Sequence, residues 1–451
     1  MTDVSLEALP GRLSPWARLR EAGNRYRGLL GQRDPALLLG GGAISVIGDW
    51  LNTVALVELS YRLGEGSFGV GGLLAMRMLP PLLFQGAAGA LVDRLPGRRL
   101  LVGTQLLMAV IAGSFALLAA VPQLWLLYAL VFTLETTQTV ARPATMVRFM
   151  EVVQPEQRGA ANALYGMTST TAQFGGASVG ALLFALIGAT PLFLLNSVTF
   201  LVVALAVSRT SLGQTRRIAD QTSASSAAMD GVVDSDGSTK GPNRAGYRRL
   251  LRRMDVVGYA GVTITISILI QSVIALFPVR SRDLGLGEGG AGVCFAVVAI
   301  GFLLGNAVAG SGTYGGRTTL YLVAAAEAAG AAGIAMFGAI DRLIPALAGL
   351  LAAGVLAELA EVPALTYFQN QLPDGTYGRF YSVVLTASAA GGLTGALLGP
   401  LLERAVGPSL ALALLAGLVG IVAAAFALSI LHEPPHDAAP HPTPEPTGET
   451  V

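Results

Sequence analysis

Twelve apolar runs, each near the ~20 residues a helix needs to cross the hydrocarbon core of a bilayer, decide what this chain can fold into. They lie near 35–61, 68–91, 99–120, 123–145, 160–187 and 189–208, and again near 255–278, 289–311, 318–340, 343–367, 379–402 and 408–431. Lipid offers backbone N–H and C=O groups no partners, so such spans close their own hydrogen bonds as helices. Composition agrees: 13% of the residues are charged, against about 25% in soluble domains. Glycine, at 57 residues, suits helices whose backbones approach closely in a membrane.

Positive charge orients the spans. With the N-terminus in the cytoplasm, 23 of the 29 Lys and Arg fall inside, five (Arg62, Arg280, Arg282, Arg342 and Arg404) fall outside, and Arg77 stays within a span. That bias predicts a multi-pass protein of the inner (cytoplasmic) membrane with both termini cytoplasmic. Net charge is +1, which points to neither nucleic acid nor an acidic partner. The single Cys294 excludes an intramolecular disulfide framework and a cysteine-based zinc cluster. Buried packing is its expected role.

Five segments follow. Residues 1–34 form a basic cytoplasmic arm with six arginines and no apolar core, so a secretory signal is not expected. Trp16, Leu19, Gly23, Tyr26 and Leu30 recur there at helical spacing, which fits an amphipathic helix on the membrane surface or a disordered basic tail. Residues 35–208 and 255–431 are six-helix bundles. Between them, 209–254 is a cytoplasmic linker, its middle rich in Ser, Gly, Asp and Ala and its basic end suited to anionic headgroups. Residues 432–451 read as a disordered cytoplasmic tail. Its His432, His436 and His441 are the chain's three histidines, and metal binding by them is the alternative.

The halves repeat. Gln154-Pro155-Glu156 recurs as Leu372-Pro373-Asp374, and Pro143 as Pro363, at offsets of 218 and 220. Gly175-Gly176 with Gly180-Ala181-Leu182-Leu183 resembles Gly391-Gly392 with Gly395-Ala396-Leu397-Leu398. Six spans return the chain to its starting side, so the halves share one orientation, with a binding site expected between them. The expected fold class is all-α: a polytopic membrane protein with 12 transmembrane helices in two pseudo-symmetric six-helix bundles.

Over 35–431 the chain resembles the major facilitator superfamily, and within it the bacterial multidrug, macrolide and siderophore exporters. The residues that carry the likeness are Gly48-Asp49-Trp50-Leu51, Gly89-Ala90-Leu91-Val92-Asp93-Arg94 with Arg98-Arg99, Pro155-Glu156 with Ala161-Asn162-Ala163-Leu164, and Pro373-Asp374 with Gly378-Arg379. Three features depart from the pattern. Leu95-Pro96-Gly97 interrupts the loop after the second helix, its second-half copy near 310–317 lacks the acid, and Gly175-Gly176 stands where the antiporter motif has Gly-Pro. The resemblance implies an interdomain latch, with Asp93 and Arg94 meeting the eleventh helix near Arg379, where a helix N-terminus favours a carboxylate. Arg142 either completes that network or serves the cavity. A monomer is also implied.

Charges inside spans are costly, about 2.5–3.5 kcal/mol on insertion scales, and so face a cavity or a partner. Asp49 lies near mid-span, on one face with Ser45, Asn52 and Thr53. The fourth span carries Glu135, Gln138, Thr139 and Arg142, the seventh Thr263, Ser267 and Gln271, and the tenth Glu358 and Glu361. By the resemblance these helices line the central cavity, and their polar faces are expected to form one wet, acidic pathway. Removal from water penalises the charged form of a carboxylate, so such a group can take a proton from one side and release it to the other. Asp49 and Glu135 are the expected proton or cation sites, with Arg77 as modulator. A structural ion pair is the alternative for each. Glu327 is expected to be peripheral, and Glu58 solvated near the outer surface.

The function expected is secondary active export of small amphipathic or cationic compounds by alternating access, coupled to protons. Its partners are the substrate, protons and membrane lipids. No cofactor is expected, because no Walker-type loop and no metal-ligand spacing occurs within a span, which also argues against an enzyme. A facilitator or a lipid or metabolite flippase on the same fold, and a non-transporting membrane sensor, remain the alternatives.

Overall fold

The computed structural model describes residues 26–64, 66–94, 97–154, 157–210, 253–287, 289–310, 312, 314, 316–372 and 377–432. After a short helical segment at 26–30 come α1 (Arg33–Leu63), α2 (Ser67–Arg94), α3 (Gly97–Ser114), α4 (Leu124–Glu151), α5 (Arg158–Ile187) and α6 (Ala189–Ser208). The second half contains α7 (Met254–Asp283), α8 (Gly290–Ala309), α9 (Arg317–Ala339), α10 (Leu343–Gln371), α11 (Tyr377–Val406) and α12 (Pro408–His432). All twelve are long and apolar enough to cross a membrane, and among the described residues there is no strand.

The helices overrun the expected spans where burial holds them. α4 continues through Pro143 to Glu151, and α10 through Pro363 to Gln371. A helix-interior proline removes one backbone hydrogen bond, but the residues beyond each are anchored: Phe149 and Phe368 are fully enclosed. Two of the turns between helices are single glycines. Gly188 and Gly407 join α5 to α6 and α11 to α12 with φ of 74° and 82°, a conformation open to glycine at little cost.

Small residues set the packing, and they do so twice. A Cβ on Gly176 of α5 would lie 2.8 Å from the Ile47 carbonyl oxygen of α1, and one on Gly391 of α11 2.4 Å from that of Ile264 on α7. Exchanging the halves maps one contact onto the other. The same exchange relates the two contacts between bundles: Gly292 of α8 against Ala181 of α5, and Gly71 of α2 against the Ala396 carbonyl of α11. Outward, α6 exposes Leu194, Val198, Leu201 and Leu205, and α12 exposes Leu410, Leu414, Ile421 and Leu428. Apolar belts of this extent mark a lipid-facing surface.

An even number of crossings leaves the start of α1 and the end of α12 at one end of the molecule, here the terminal end. The bundle-to-bundle contacts just named lie toward the opposite, far end. The arm before residue 26, the linker 211–252 and the tail after 432 lie outside the described residues, as do Pro155-Glu156 and Pro373-Asp374.

Candidate functional site

Polar residues of α1, α2 and α4 meet inside the first bundle and form a closed circuit. From α1, the Thr53 hydroxyl donates to the Asp49 carbonyl at 2.7 Å and accepts from Arg77 of α2 at 3.0 Å. Arg77 Nε donates to Glu135 Oε1 of α4 at 2.8 Å. One turn and two turns along α4, Arg142 donates to Gln138 and, at 3.4 Å, to Glu135 Oε2. Gln138 Nε2 then donates to Asp49 Oδ1 at 3.2 Å, which returns the circuit to α1. Helical spacing of three, four and seven puts these groups on one stripe of each helix.

The circuit is charge-balanced but uneven. Glu135 is 5% exposed and is met by two guanidinium groups. The Asp49 carboxylate is held by an amide instead. Arg142 is the exposed member, its side chain 60% accessible. It opens onto a cavity of about 170 Å³ also lined by Ser45, Asp49, Gln105, Gln138 and Tyr165.

The four polar faces do not pool into one acidic pathway among the described residues. The pocket shared by both bundles, of about 110 Å³, is apolar, lined by Trp50, Phe277, Phe295 and Phe302, with Gln173 and Glu327 as its polar members. α7 turns Ile266, Leu269 and Val273 to that pocket, and its Ser267 instead bonds Ser388 of α11 at 3.1 Å. Among the described residues, Asn52 Oδ1 and Gln271 Oε1 are buried with no hydrogen-bond partner. Glu358 bonds Asn306 and lies, like Glu327, within Coulombic reach of Glu361. These acids of α9 and α10 are separate from the Asp49 and Glu135 circuit.

Two expectations are corrected. Glu327 is not peripheral: it is 8% exposed and reaches the shared pocket. Beside Leu350, α10 presents the small residues Ala353, Gly354 and Ala357 there, and the pocket extends past them to α9. Glu58 is not solvated. It is 1% exposed and paired with Arg282 of the other bundle. The signal lay in the repeat, because Arg62 and Arg282 are 220 residues apart and both reach Glu58. The side chains of Asp93, Arg94 and Arg379, expected as a latch, lie outside the described residues; Arg142 belongs to the circuit.

Comparison with known proteins agrees with this architecture. A family model described as the Major Facilitator Superfamily matches residues 38–396. The "Putative bacilysin exporter BacE" of Bacillus subtilis is 28% identical over 272 residues, which is 60% of this chain and 64%, under two thirds, of that protein. The "Uncharacterized MFS-type transporter YfiS" of Bacillus subtilis (strain 168) is 22% identical across 84% of this chain and 89% of its own length. The nucleoside transporter NupG superposes with a TM-score of 0.66 at 9% identity, covering 89% of this chain and 100% of that one. The POT family transporter PepTSo does so with 0.62 at 15%, covering 88% and 97%. At such identities the likeness shows the fold.

Proposed function

This chain belongs to the Major Facilitator Superfamily, and we propose that it is a proton-coupled exporter of small amphipathic or cationic organic compounds. The observation that supports this reading is the polar circuit of the first bundle, in which two guanidinium groups bond Glu135 and an amide bonds Asp49. A buried carboxylate that is held by an amide, while the nearby guanidinium groups bond Glu135, is the member of the circuit suited to take up a proton, and protonation of Asp49 leaves the circuit with one more positive than negative charge. That change favours a different arrangement of the guanidinium groups of Arg77 and Arg142. A proton bound at Asp49 is therefore coupled to the packing of α1, α2 and α4. The apolar wall of the shared pocket favours an amphipathic cargo over a strongly polar one.

The orientation and domain limits read from the charges belong to the same proposal. Both termini face the cytoplasm, the far end faces outward, and 1–34, 209–254 and 432–451 are cytoplasmic segments around the bundles 35–208 and 255–431. On this reading the structure is closed to the outside. Asp93, Arg94 and Arg379 would latch the cytoplasmic end when the transporter opens outward. A monomer in the inner membrane suffices, since each bundle supplies its part of the pocket.

The experiment is uptake of ethidium into inside-out proteoliposomes under an imposed pH gradient. The wild type is expected to accumulate it, and Asp49→Asn to lose gradient-driven accumulation while retaining downhill exchange. Unchanged accumulation by Asp49→Asn removes the proton-site assignment. Downhill flux indifferent to pH in the wild type replaces the antiporter with a facilitator.

A further inference from the structure

The pocket between the bundles holds a carboxylate without a counter-charge. Glu327 of α9 is more than nine-tenths buried, and among the described residues it has no ion pair or hydrogen bond. The charge it meets is that of Glu361 on α10, which has the same sign. Around it the wall is built of Trp50, Phe295, Phe302, Leu350 and other apolar groups. An acid kept in such a place is expensive, and the small residues Ala353, Gly354 and Ala357 of α10 bring it no partner among the described residues. Its complement is a cation brought by a ligand.

We propose that this pocket binds an amphipathic organic monocation, its charged nitrogen on Glu327 and its ring-bearing body against Trp50, Phe295 and Phe302. The inference rests on the transport reading and adds a site to it. Three rings supply stacking and cation–π contacts that an aliphatic wall would lack. The pocket also communicates with the circuit. Trp50 follows Asp49 on α1, about 100° around the helix, so one helix presents Asp49 to the first-bundle cavity and Trp50 to the shared pocket. A ligand that displaces Trp50 moves the segment that carries Asp49.

The test is equilibrium binding of ethidium to the full chain in lipid nanodiscs, with binding to empty nanodiscs subtracted. The neutral dye N-phenyl-1-naphthylamine reports separately on the integrity of the pocket. Glu327→Gln is expected to weaken ethidium at least tenfold and to leave the neutral dye within twofold of the wild type. Equal ethidium affinity in the two proteins, parallel loss of both dyes, or no ethidium binding by the wild type overturns the proposal. No pH gradient enters this measurement. Glu327-dependent binding together with failed gradient-driven flux therefore sinks the antiporter reading alone, and the converse result sinks the site alone.

Discussion

Glu58 of α1 and Arg282 of α7 meet across the two bundles at the far end of the molecule, and the carboxylate is all but sealed from solvent at 1% exposure. Arg62 approaches the same oxygen at 3.4 Å, and the Arg282 guanidinium lies 4.1 Å from the centre of the Tyr61 ring. A second clasp joins Ser67 to Glu403 at 2.8 Å, beside Arg404 over Phe68. One carboxylate thus holds a cation of its own helix and a cation of the other half. Such a pair can form only while this end is shut.

Glu58→Gln should therefore loosen the closed arrangement without unfolding either bundle. Breaking a buried pair costs about 3–5 kcal/mol. Arg282 is 27% exposed, which reduces this to about 1–2 kcal/mol, roughly a five- to thirtyfold change in the closed-to-open ratio. Cys294 is the only native cysteine and is buried, so Ser67→Cys provides a single reporter thiol at the clasp. Its reaction with a membrane-impermeant maleimide should quicken by that factor in the Glu58→Gln background. An unchanged labelling rate would show that the pair does not hold the end closed.

Arg77 and Asp49 should separate stability from coupling. Removing Arg77 takes the closest cation, at 2.8 Å, from a carboxylate that is 6% exposed, while Arg142 remains farther off and mostly solvated. Arg77→Ala is expected to lose about 3 kcal/mol of stability, seen as a lower unfolding midpoint at fixed scan rate in detergent. Asp49→Asn keeps an oxygen for the Gln138 amide and should leave that midpoint within a degree or two while abolishing proton-driven transport. Equal midpoints for Arg77→Ala and the wild type would mean that Glu135 does not depend on its partner.

What the sequence revealed and what it hid follow from one limit. Hydropathy located all the spans because length and apolarity alone decide a crossing, and the spacing of Gly176, Gly180, Gly391 and Gly395 already showed the repeat. Asp49, Glu135, Gln138 and Arg77 were legible as polar side chains in apolar runs. The rotation of each helix against its neighbours was not legible. Spacing of three and four shows that Ser267 and Gln271 share a face, but not that Ser267 turns toward Ser388 and away from the shared pocket. Glu327 was hidden for the same reason, since its access depends on the small residues of a different helix. Glu58 was misread because depth along a span does not reveal a cation arriving from 224 positions away.

Arg280 was read from sequence only as a marker of topology, yet it is 2% exposed and works as a clamp. Its guanidinium donates to the carbonyls of Phe337 and Ile340 at 3.0 and 2.7 Å and to Asp341 at 2.9 Å. Those carbonyls end α9, where a cation complements the helix dipole. A lysine is compact and lacks the planar fork, so Arg280→Lys should restore only part of what Arg280→Met loses, the latter about 3 kcal/mol. Thermal unfolding of the three proteins under one set of conditions checks the order. A lysine variant as stable as the wild type would show that charge alone suffices.

Three glycines distinguish packing within a bundle, packing between bundles, and contact with lipid. A Cβ on Gly395 would fall 2.2 Å from the backbone oxygen of Ile268, so Gly395→Ala must push α11 off α7 in every state of the cycle. A loss of about 1–3 kcal/mol is expected. A Cβ on Gly71 would fall 2.3 Å from the Ala396 carbonyl and 2.9 Å from Pro400 Cγ, contacts that join one bundle to the other. Gly71→Ala should therefore strain only the arrangement closed at the far end, leaving each bundle's stability unchanged and speeding the labelling of the Ser67→Cys reporter. Gly417 of α12 has open space around it, so Gly417→Ala should be neutral or gain up to about 1 kcal/mol from helix propensity. If Gly71→Ala lowers the unfolding midpoint as much as Gly395→Ala and leaves labelling unchanged, the contact between α2 and α11 is a permanent part of the fold and opening must occur elsewhere.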